Sequence, residues 1–233
     1  GTNMYLTIEA AAIAAVEVSD PASTPGPTAD ALARGALLGA RGNSGVILSQ
    51  LLRGMADVIG KVDEPTGSTL AEALARAADL GYAAVSRPVE GTVLTVARAA
   101  ADGATEHAAA GVTAVARAAA QHAHDALART PTQLPALAAA GVVDAGGKGL
   151  VVVLDALVEV LTGEAHVDDI TSDETIVAHE PMPPGDYEGP RYEVMYLLDA
   201  EDDGIPHLRT RLDSMGDALV VVGGGGLWKV HVH

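Results

Sequence analysis

Three short segments combine glycine with small polar or acidic side chains just ahead of helical sequence: GTNM (1–4), GARGNSGV (39–46) and GVVDAGGKG (141–149). The first turn of a helix presents unpaired N–H donors and a partial positive charge. Glycine lets backbone approach an oxyanion closely, which is why phosphate groups recur at such places. Each segment also has a plainer reading, with Asn43 or Ser44 capping one helix and Asp144 capping another. Sequence alone does not bring the three together in space. GNSGV is not a nucleophile elbow, because its second glycine comes one residue early, so serine hydrolysis is not expected.

The elements that must carry these segments follow from composition. Apolar residues make up 48% of 233 residues, enough for a sizeable core, and with no Phe and one Trp that core is aliphatic. Alanine dominates it, favouring closely packed helices. The formal net charge of −17 excludes nucleic acid or anionic membrane as the main partner. It leaves room for a phosphate held by backbone donors and a divalent cation. With zero cysteines there is no disulfide and no thiolate chemistry, which fits a cytoplasmic protein. The most apolar run, 149–161, is too short for an integral membrane segment and carries Asp155 and Glu159. The chain opens on Gly and stops within an alternating pattern, so a fragment of a longer protein is expected.

Residues 1–165 read as helices separated by breakers at 19–28, 62–69, 86–91 and 129–135. The first breaker is expected to be an exposed loop. The helix at 68–85 is expected to be capped by Ser68 or Thr69. LVVVLDALVEVL reads as a helix by its length and its acids four apart. Residues 166–190, acidic and rich in Pro, read as a linker. Residues 191–233 read as strand, helix, and two strands around the glycine turn 223–226, the opening of an α/β domain. That turn lacks GxGxxG spacing and a following helix, so a Rossmann site is excluded.

GARGNSGVILSQLLRG, RPVEGTVLTVARAA and GVVDAGGKGL, in this order, closely resemble the nucleotide-binding domain of the dihydroxyacetone kinase superfamily. The likeness is greatest to the form that opens bacterial fatty acid kinases, and GDALVVVGGGGLWKVHVH resembles the start of their middle domain. The resemblance implies a mainly α fold: an antiparallel α-helical barrel with ATP or ADP at one end, followed by a small, truncated α/β domain. It places Thr2 and Asn3 beside the phosphates and Gly42, Asn43, Ser44 and Gly45 around them. Thr92 would lie near the phosphates or ribose, and Asp144, Ala145, Gly146 and Gly147 would close the pocket. The family's magnesium ligands lie in an aspartate-rich turn expected upstream of Gly1, so no magnesium ligand is expected within this chain, which would be inactive as it stands. The implied reaction is phosphorylation of a fatty acid presented by a DegV-like fatty-acid-binding protein. The acyl chain would sit in that partner, and a homodimer stays open. The alternatives are a kinase for a small hydroxyl substrate such as dihydroxyacetone, or a non-catalytic nucleotide-sensing scaffold.

His231 and His233 share one strand face, a spacing that suits zinc or an exposed polar face. A third ligand must come from elsewhere, and the strand where the family has a cysteine has none here. His107, His122 and His124 read as surface or satisfied core histidines. Arg87 reads as a phosphate contact or a solvated loop charge, and Glu90 as a helix-start acid.

Overall fold

Alanine decides how closely the helices pack. In the computed structural model, which describes residues 1–20, 24–164 and 192–233, eight helices precede the second unit. They are α1 (Thr2–Val18), α2 (Pro25–Gly39), α3 (Gly42–Ile59), α4 (Gly67–Ala84), α5 (Val93–Glu106), α6 (Val112–Gln133), the short α7 (Pro135–Ala140) and α8 (Ala145–Thr162). Consecutive helices joined by short turns lie side by side, and α8 returns against α5 and α6. Ala73, Ala78, Ala104, Ala119 and Ala123 are fully buried at these contacts, where small side chains let axes come close. Leu48, Leu51, Leu74, Leu150 and Leu154 point into the middle, around an apolar cavity of about 130 Å³ between α3, α4, α5 and α8. The helical domain and the small α/β unit are both as the sequence implies. The linker expected at 166–190 lies outside the described residues.

Three local expectations need correction. The loop expected over 19–28 gives way to α2 from Pro25, because proline is pre-organised for the first helical position. The cap of α4 is Thr66, not Ser68 or Thr69. Its hydroxyl accepts from the Thr69 N–H (3.3 Å) and its own N–H donates to the Thr69 hydroxyl (3.2 Å). The breaker at 129–135 does not break the chain where Pro131 stands, since α6 continues to Gln133. Proline cannot donate to the Leu127 carbonyl four residues back. The Thr130 hydroxyl donates to that carbonyl instead (2.8 Å) and accepts from the Asp144 N–H (3.1 Å). One buried threonine therefore both repairs the helix and ties it to the start of α8.

The second unit comprises β1 (Val194–Asp199), α9 (Ile205–Asp213), β2 (Val220–Gly224) and β3 (Leu227–Val232). Its sheet has the order β1-β3-β2, antiparallel throughout, with Val220 opposite His231 and Val222 opposite Lys229. One face, with Leu198, Val221 and Val230, packs with Ile205 and Leu208 of α9. On the other, Val220 and Val222 pack on Ala40, Val46 and Ala84 of the helical domain. The face carrying His231 is therefore not an exposed one, and His231 is fully buried.

Thr130→Val keeps the shape but removes both hydrogen bonds at a fully buried position. We expect a loss of about 1–3 kcal/mol in denaturant unfolding, and a change below about 0.5 kcal/mol would contradict the repair described above.

Candidate functional site

Antiparallel packing brings the starts of α1, α3, α5 and α8 to one end of the bundle. Close approaches fix them to one another. Gly42 has φ of +55°, and a Cβ there would collide with the Asn3 side-chain amide. A Cβ on Gly149 would lie 2.8 Å from Met4 Sδ, and one on Gly146 would lie 3.2 Å from Val93 Cβ. Thus α3 abuts α1, α8 passes over α1, and α8 abuts α5. The three segments singled out in the sequence, together with Thr92, share this end of the molecule.

The four helix starts differ chemically. The Thr92 hydroxyl accepts from the Leu94 N–H (3.4 Å) and donates to the Val89 carbonyl (2.8 Å). Asp144 accepts from the Gly147 N–H (2.6 Å). Both residues are helix caps, Asp144 as its plainer reading held and Thr92 without the sequence having marked it as one. Asn43 and Ser44 are not. The residue before α3 is Arg41, which makes no capping hydrogen bond, and Asn43 and Ser44 lie inside the first turn. The residue before α1 is Gly1, and it likewise offers no side-chain cap. Two adjoining first turns therefore lack a side-chain acceptor. The Asn43 Oδ1 atom is also buried without a partner, an unusual cost within a protein unless something else donates to it.

Sequence reading missed the residues that hold this arrangement. Fully buried Thr7 donates to the Asn3 carbonyl (2.8 Å) and accepts from the Arg41 N–H (3.4 Å), tying α1 to the turn before α3. Its signal was a lone threonine four residues after Asn3 on an alanine-rich helix. Glu90 is more than a helix-start acid, since it accepts from the hydroxyls of Thr95 and Tyr82 (3.0 Å for Tyr82) and so braces the loop before α5. Burial is the main cause that raises the Tyr82 phenol above its ordinary value, with Glu90 adding to it. Arg87 is not poised for a phosphate. It faces Asp213 (3.6 Å) and Asp217 (3.7 Å) of the second unit. His124 sits against Asp155 at 3.0 Å and His122 lies 3.9 Å from Glu106, so both have carboxylate neighbours away from this end.

A second cluster stands on the sheet. Glu193, His231 and His233 offer ligand atoms all within 4.8 Å of one another. The imidazole Nε2 atoms are 2.8 Å apart, Glu193 is 3.5 Å from His231, and the His231 Nδ1 atom is buried without a partner. Burial, ahead of the opposing pull of Glu193, lowers the His231 pKa and so favours the neutral imidazole that metals require. Glu193 offers a third ligand atom of the kind the sequence left open. It precedes β1 on the face that carries His231 and His233, a pairing visible only once the β1–β3 register is known.

Comparison with known proteins identifies the family of each part of the chain. Residues 1–159 match the DAK2 domain, and residues 189–233 match the FakA-like middle domain of fatty acid kinases. The whole chain aligns at 41% identity over 249 residues with protein YloV of Bacillus subtilis (strain 168). It aligns at 36% over 251 residues with an uncharacterized protein of Staphylococcus haemolyticus (strain JCSC1435), and at 34% over 249 residues with one from Staphylococcus saprophyticus. Each alignment takes in 44% of the relative, so the chain spans less than half the length of the curated relatives it matches. The chain belongs to the DAK2-domain family and carries, behind that domain, a middle domain of the FakA-like type.

Proposed function

We propose that the end of the bundle where α1, α3, α5 and α8 begin seats the phosphates of ATP or ADP. The observation that carries this reading is the pair of first turns without side-chain caps, brought together where Gly42 meets Asn3. Amides of Gly42, Asn43 and Ser44 would cradle the phosphates, with Thr2 and Asn3 facing them, while the Gly45 N–H closes the turn on the Arg41 carbonyl (3.0 Å). The capped turns at Thr92 and Asp144–Gly147 would flank the nucleotide as fixed walls. Phosphoryl transfer depends mainly on position and charge neutralisation, which such donors supply without reorganising. Asp144 is the one carboxylate in the three glycine-polar segments and is committed to its cap. The magnesium that accompanies the nucleotide would take carboxylates from outside those segments, as the family resemblance implies.

In this reading the intact protein is a kinase that phosphorylates a fatty acid carboxylate to an acyl phosphate, the acid being presented by a DegV-like binding protein. The family of the middle domain supports it. Among the described residues no helix is long and apolar enough to cross a membrane. For the cluster on the sheet we propose zinc, held by Glu193, His231 and His233 with a fourth position open, which would pin β1 to β3.

Replacing Asn43 and Ser44 together by Ala removes the side-chain groups from this seat. ATP affinity measured by calorimetry should fall at least about tenfold, and equal affinity would remove both residues from the site. Dialysis against zinc followed by elemental analysis should find one ion per chain and none in His231→Ala. A wild-type chain that takes up no zinc would dismiss the metal.

A further inference from the structure

Among the described residues, the most deeply buried lysine, arginine or carboxylate stands on the central strand of the sheet. Lys229 is 4% exposed, and its ammonium donates to three carbonyls of the helical domain: Leu37 (3.2 Å), Leu38 (3.2 Å) and Ala40 (2.7 Å). An ammonium has three donors, and all three are used. Those carbonyls close the last turn of α2, where a helix has orphan acceptors and partial negative charge. No basic residue of α2 itself lies in that turn. Ala40 is followed by Arg41 and then by Gly42, the first residue of α3. The anchor at the other end is rigid, because β3 is hydrogen-bonded on both sides.

We propose that Lys229 is a positioning residue for the nucleotide seat, fixing the α2–α3 corner so that the first turn of α3 is held open toward its ligand. This rests on the nucleotide reading above and adds to it that the second unit is part of the seat. Val220 and Val222 also pack on Ala40 at this corner, but the other hydrogen-bonded ties between the units touch different places. Arg209 donates to the Ala83 carbonyl, the Ser86 N–H donates to the Leu219 carbonyl (3.3 Å), and Val85 bridges Val220. All of these meet the chain at the end of α4, not at the α2–α3 corner. Burial, with Arg41 adding to it, lowers the Lys229 pKa from its ordinary value. The three carbonyl acceptors work against that and favour the charged form.

The test compares the full chain with Lys229→Met and with Arg209→Met, which removes a tie between the units elsewhere. Amide hydrogen exchange at Arg41 and Gly45, whose N–H groups are hydrogen-bonded to Thr7 and to the Arg41 carbonyl, should speed up by about tenfold in Lys229→Met and stay unchanged in Arg209→Met. Exchange within β3 should stay unchanged in Lys229→Met, and ATP affinity should fall in parallel with the faster exchange at Arg41 and Gly45. Should Lys229→Met fail to fold, Lys229→Gln, which keeps N–H donors without charge, is read in the same way. Unchanged exchange and affinity would overturn the proposal. So would equal loosening by both variants, which would assign the effect to docking as a whole. A wild-type chain that binds no ATP while the exchange still responds would overturn the nucleotide reading itself, leaving Lys229 as a structural tie.

Discussion

Asn3 and Gly42 meet where α1 and α3 begin, and the rest of the structure is arranged around that approach. A side chain at Gly42 would displace the Asn3 amide and would have to adopt a positive φ. The positive φ there turns the chain from the end of α2 into α3 within two residues. Thr7 locks the same junction from inside, bonding to both helices through one hydroxyl. Helices lined with alanine can follow so tight a corner without leaving voids. The aliphatic interior, by contrast, retains a cavity between α3, α4, α5 and α8 where leucines and Val153 do not fully interdigitate.

At this end the protein treats its helix starts in two ways. Those of α5 and α8 are closed by Thr92 and Asp144, which stabilises each helix and fixes the direction of the chain entering it. Those of α1 and α3 have no such closure. Omitting a cap costs about 1 kcal/mol at each start. The cost is offset where a ligand anion completes the turn. The same economy explains the far side of the corner, where Lys229 closes the end of α2 from another element and leaves the start of α3 unobstructed. At the opposite end α4 begins with a full capping box, while α2 and α6 begin without a side-chain cap. What sets the α1 and α3 starts apart is that they adjoin each other through Asn3 and Gly42.

Much of this was legible in the sequence, because helical period, glycine placement and breaker residues act locally. The helix of residues 145–162, the β-α-β-β order of the second unit and the three glycine-polar segments could all be read from residue types. What escaped were effects between residues far apart. Pro131 looked like a helix stop because its compensation is a hydroxyl at the neighbouring position that bonds in two directions. Arg87 looked available for phosphate because its acids lie on the second unit, well over 100 residues away. Lys229 was not singled out at all, since nothing near it in sequence tells of three carbonyls 189 to 192 residues earlier. Glu193 needed the strand register. In each case the deciding partner was set by tertiary packing, beyond the reach of any local pattern.

The most direct test of the central claim is amide chemical-shift mapping of the labelled protein titrated with ADP. The account predicts that amides of Thr2–Asn3, Gly42–Gly45, Thr92 and Asp144–Gly147 shift together along one saturation curve. Responses confined to other surfaces, such as the glycine turn at 223–226, would contradict it, as would no response at all from a folded chain.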